Sequence, residues 1–151
     1  MILGPLQFAK RIRARHMRIH RWSGRIFVAS GIVIGISALR LGFVMPYSGS
    51  NETAATTFFG AVFLFALMRA FYHIRRREIT AHREWMIRAF LIGIAIATIR
   101  PVVVLYQLLS GLAFRESLGI AFWLSFTAHA LLAEVWINST RRSPAPHPTN
   151  L

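Results

Sequence analysis

The chain has 151 residues, 55% of them hydrophobic, and a formal charge of +13. It has no Cys, which excludes disulfides, thiolate metal sites and iron–sulfur clusters, and its five acidic residues, all Glu, leave few groups for acid–base chemistry or for holding hard cations. The basic residues stand in blocks between long apolar runs instead of spreading over one face of a water-exposed fold, a pattern that points to a membrane protein and away from nucleic acid.

The chain opens on a basic segment, residues 1 to 25, with seven Lys or Arg. Four apolar runs follow, each about 20 residues, the length a bilayer requires. The first is Arg25 to Met45, "RIFVASGIVIGISALRLGFVM". A short polar turn, "PYSGSNET", leads to the second, Ala54 to Tyr72. Residues 69 to 88 carry six Arg and read as a basic middle loop. The third run is Trp85 to Leu109, the turn "SGLAFRES" follows, and the fourth run is Leu118 to Ile137. Short turns make neighbours antiparallel. The expected fold is therefore all-α: a polytopic membrane protein, an up–down bundle of four transmembrane helices. Residues 1–138 form a single domain on this reading, and 139–151, Pro-rich and polar, form a disordered cytoplasmic tail.

The arginine blocks lie at one end of every predicted span, so the positive-inside rule places both termini and the middle loop in the cytoplasm. Trp22, Trp85 and Trp136 then fall at the cytoplasmic interface, where amphipathic rings belong. Two related phrases, "HRWSGRIF" from His20 and "HREWMIRAF" from His82, begin the two outward helices. They suggest two parallel-repeated helical hairpins, a weak internal duplication. Arg21, Arg25, Arg83 and Arg88 fit snorkelling anchors. The histidines fit that role less well, because a neutral imidazole is a poor anchor. At about 100° per residue, His20 shares a face with Gly24, Gly31, Gly35 and Ala38, and His82 with Ala89, Gly93, Ala97 and Arg100. Such small strips serve close helix packing or leave room for a flat cofactor. If the strips meet each other, Gly31 and Gly93 should tolerate Leu less well than Gly60.

Deeper polar residues complete the candidates. Arg100 lies about 22 Å along the helix from Trp85 and precedes Pro101. It reads as a snorkel, or as a pairing to a neighbouring helix. His129 sits in mid-helix four near Ser125 and Thr127, either as a hydrogen-bonded structural group or as a ligand or proton relay. Glu134 is expected to pair with Arg69 or a middle-loop arginine. His73 reads as interfacial, His16 as sharing the face of His20, and His147 as inert.

"LGPLQF" at residues 3–8, "HRWSGRIFV" and "HREWMIRAF…ATIRP" resemble the bacterial membrane-protein family called domain of unknown function 2306. The resemblance covers roughly residues 3 to 137. It implies that His20, Gly24, Arg25, His82, Arg83, Trp85, Met86, Arg88 and Arg100 match the family's motifs. It also implies a bacterial inner-membrane setting and an additional membrane segment upstream of "LGPLQF", so the chain reads as a shortened member or as one whose start lies upstream.

Two function classes follow. One is a non-enzymatic membrane protein, a helix-bundle scaffold, subunit or small carrier, whose partners are the lipid bilayer and a membrane-protein partner or a second copy. The other is a b-type haem protein for electron transfer or cofactor handling. Its iron would take His20 and His82 as axial ligands, with His129 or His73 as substitutes, and Arg25 or Arg88 on the propionates. No nucleophile–base pair, paired carboxylates or glycine-rich phosphate loop supports a hydrolase or transferase.

Overall fold

A computed structural model describes residues 17–45 and 49–141. The "LGPLQF" opening, His16, the turn residues 46–48, His147 and the Pro-rich tail lie outside the described residues. Four helices fill the described chain: α1 Met17–Val44, α2 Ser50–Arg75, α3 Ile79–Ser110 and α4 Phe114–Thr140. All four are long and apolar enough to cross a membrane. The fold is the all-α polytopic bundle expected.

Each helix overshoots its apolar run. The twin phrases lie inside α1 and α3, because Arg, Glu, Met and Trp sustain a helix that an apolar count ends early. Most of the expected middle loop is helix too. Only residues 76–78 separate α2 from α3, and Arg77 takes the left-handed backbone (φ 62°) that turns the chain. At the far end α3 stops at Gly111 (φ 68°), whose N–H donates to the Gln107 carbonyl. Pro101 lies within α3 and does not end it.

Consecutive helices run antiparallel. Along α1 and α2, Gly42 lies against Thr56, Leu39 against Gly60, Gly35 against Phe63 and Leu64, and Gly31 against Leu67. α2 and α4 therefore run the same way, with the Phe59 and Phe126 rings stacked at 4.9 Å and Trp123 Nε1–H donating to Asn51 Oδ1 at 3.0 Å. α2, α3 and α4 pack on one another around Phe59, Phe63, Leu67, Ile92, Ile99 and Phe126. α1 makes its main contact with α2 alone. The bundle is thus a three-helix core with a fourth helix on one flank, and the outer face of α1, with Val33, Ile36 and Phe43, is exposed.

Candidate functional site

The helix arrangement creates two features: an apolar groove beside α1 and a polar cluster at the arginine-rich end. The groove begins with glycine. A Cβ on Gly35 would stand 2.6 Å from Leu64 Cδ2, and one on Gly31 would stand 2.8 Å from Leu67 Cδ1. Both distances are too short for an added carbon without a shift. The strip of α1 therefore packs on α2. The strip of α3 reaches the same Phe63 side chain, from which a Cβ on Gly93 would stand 3.4 Å away. The expected ranking of glycines is corrected on this point. Gly60 is tight, since a Cβ there would stand 2.9 Å from Leu39 Cδ2, while one on Gly93 would make ordinary contact. The two strips do not interlock; each receives a bulky residue of α2.

Because the Phe63 ring holds α1 and α3 apart along the seam, a cavity of about 440 Å³ runs between α1, α2 and α3. Its walls include Ile26, Ile34, Phe59, Phe63, Phe90 and Phe122, and its few polar groups are Ser30, Thr56 and Glu52. None of the described histidines lines it.

The polar cluster gathers where α2 ends and α3 begins. His82 Nδ1–H donates to the Ala70 carbonyl at 2.8 Å, which sets its tautomer. His73 lies within electrostatic range of it. His73, in the last turn of α2, is buried in the packing, and its Nδ1 meets Glu78 Oε2 at 2.5 Å. Its other ring nitrogen, Nε2, is buried and has no hydrogen-bond partner among the described residues. Trp85 sits between two cations, Arg88 at 4.7 Å and Arg69 at 5.5 Å from its ring centroid. Arg88 binds Glu134 through two hydrogen bonds, Nε to Oε1 at 2.5 Å and a terminal nitrogen to Oε2 at 3.0 Å. The partner of Glu134 is therefore Arg88 and not Arg69, and this engages an arginine that sequence assigned to a cofactor. Glu84 forms a similar fork with Arg141, at 3.0 and 3.1 Å, and holds that exposed guanidinium more firmly protonated.

The remaining candidates are dispersed. Arg25 is exposed and lies over Trp22 at 5.7 Å. His20 is half-buried near the start of α1, where Ser23 Oγ–H donates to its backbone carbonyl at 3.2 Å. Seven and eight residues beyond His20 and His82, the rings of Phe27 and Phe90 stand 6.2 Å apart, so α1 and α3 approach each other there. His129 Nδ1–H donates to the Ser125 carbonyl one turn back at 2.8 Å, so its partner is backbone and neither hydroxyl expected. Arg100 is exposed on α3 and makes no ion pair among the described residues. Among the described residues no three His, Asp or Glu side chains come together to hold a metal ion.

Sequence reasoning missed the His73–Glu78 contact, the stacking of Arg69 on Trp85 and the Asn51–Trp123 bond. A three-residue turn between α2 and α3 would have exposed the first two, since it places positions 69–73 beside 82–85.

Comparison with curated proteins and with solved structures finds no match. The family model described as "Predicted membrane protein (DUF2306)" matches residues 1–137. That match takes in all of α1, α2 and α3 and most of α4. With four membrane-capable helices and a family match over nearly the whole chain, the protein belongs to the DUF2306 family of predicted membrane proteins.

Proposed function

We propose that this chain is a non-enzymatic bundle, a small carrier or a subunit, that holds an elongated apolar molecule in the groove between α1, α2 and α3. The observation that carries this reading is the groove itself: about 440 Å³, walled by aromatic and aliphatic side chains, with its polar groups few. That volume and lining are typical of small-molecule sites. Filling the groove tests the reading. Ile34 lines it and is 49% exposed, so Ile34→Trp adds bulk without entering the core. Purified wild type should carry an apolar species visible by mass spectrometry, and Ile34→Trp should lose it while keeping its helix content. An equal load in both proteins, or none in either, defeats the reading.

A haem reading has one specific support. His82 and His129 both fix Nδ1–H on a backbone carbonyl, which leaves Nε2 as the lone-pair nitrogen, as in oriented ligand histidines. A haem would use His20 and His82 at the arginine-rich end, or His129 further along α4, because none of the described histidines lines the groove. Oxidised and reduced absorbance spectra discriminate: a Soret band that His82→Ala removes supports haem, and a colourless wild type ends that reading.

The orientation with both termini in the cytoplasm, a bacterial inner-membrane location, and a membrane-protein partner or a second copy are parts of the same proposal. The clustering of arginines at one end of the bundle supports the first of these.

A further inference from the structure

The arginine-rich end contains a half-buried arginine, Arg69, that meets no acid among the described residues. Its Nε is buried and has no hydrogen-bond partner among the described residues. An orphaned buried N–H is costly. The carboxylates at this end are committed elsewhere: Glu78 to His73, Glu84 to Arg141 and Glu134 to Arg88. Arg69 is held instead by aromatic faces, with its guanidinium carbon 5.5 Å from the Trp85 centroid and 5.8 Å from that of Tyr72. Cation–π stacking engages the plane of a guanidinium and leaves its edge donors available.

A second, independent observation lies one turn along. His73 is 9% exposed, and its Nε2 is buried with no hydrogen-bond partner among the described residues. Residues four apart share a helix face, so His73 and Arg69 address the same side of α2. Both flank the ring of Tyr72, His73 edge-on at 5.4 Å between centroids, and Arg76 covers that ring at 4.5 Å.

We propose that Arg69 and His73, with Arg76 over the shared Tyr72 ring, form a site for a phosphate oxyanion at the end of α2. The group accepts from the guanidinium edge, a charge-assisted geometry that arginine suits better than lysine. His73 Nδ1 is occupied by Glu78, so Nε2 is the nitrogen left for a ligand, which reaches it only when the side chains that cover it move aside. Free phosphate donates its own P–OH to the neutral ring. A lipid phosphodiester has no such proton and accepts from this nitrogen only when Nε2 itself carries one. The shared chemistry is the oxyanion, and its source is either a phospholipid headgroup or phosphate from solution.

Native mass spectrometry of the purified chain in detergent tests this, with phosphatidylglycerol in one titration and inorganic phosphate in the other. Arg69→Gln should weaken binding about tenfold or more, the loss of one charged hydrogen bond. Arg75→Gln, an exposed arginine on the same end, should change it by less than about threefold, as an exposed charge contributes little. Binding in the lipid titration alone identifies a headgroup as the source; binding in both, or in phosphate alone, identifies the free anion as sufficient. Equal losses in Arg69→Gln and Arg75→Gln, or no loss in either, would overturn the site and leave only a basic surface. Should Arg69→Gln not fold, Arg69→Lys decides: it keeps the charge and removes the fork, so unchanged affinity refutes the proposal and a reduced one supports it.

Discussion

Phe63 shows what the glycines of α1 and α3 accommodate: a single ring touches positions 31, 35 and 93. In a bilayer, lipid tails are as apolar as side chains, so such a ring contributes through packing and not through transfer from water. Phe63→Ala should therefore cost less than the about 3–5 kcal/mol typical of water-soluble cores. It should still cost more than Phe71→Ala on the exposed face. Thermal unfolding of both variants in one detergent checks this, and equal losses would remove Phe63 from its role in the seam. Gly35→Ala should also lower the midpoint while Gly93→Ala stays close to wild type, given their 2.6 and 3.4 Å clearances. The strips were legible in sequence because small residues recurred along one face. Their filler was not, since a glycine shows only that something comes close. Glu134 was similar: a partner was foreseeable, but the choice of Arg88 over Arg69 depends on helix rotation. Exchanging the two charges, Arg88→Glu with Glu134→Arg, should recover about 1 kcal/mol relative to the single variants.

At the scale of the helix, apolar length located all four elements, and polar first turns hid where they begin. α1 and α3 start well before Arg25 and Trp85 because nothing in the twin phrases breaks a helix. The register between α1 and α2 was not legible, since antiparallel helices of this length admit several slips. A chain without cysteine allows a clean test. A Cβ on Gly42 would stand 3.3 Å from Thr56 Cβ, near the separation of a disulfide. The pair Gly42→Cys with Thr56→Cys should cross-link under mild oxidation, and Gly42→Cys with Phe63→Cys should not. Cross-linking of the second pair but not the first would shift the helices by about two turns.

For the whole molecule, sequence supported four antiparallel spans and could not show that α1 stands apart from the core. Short turns specify who follows whom, whereas the side on which each helix docks depends on facing surfaces such as Phe59 and Phe126. The orientation proposed above predicts that a reporter active only in the cytoplasm works when fused after Arg142 and is silent when inserted at Gly49; the opposite pattern would invert the bundle. The packing order has a consequence for synthesis. Each helix docks chiefly on the one made just before it, and among the principal contacts only α2 with α4 skips a neighbour. A ribosome feeding this chain into a bilayer thus delivers every partner in the order it is needed. The seam between Phe59 and Phe126 closes last, when the fourth helix leaves the tunnel.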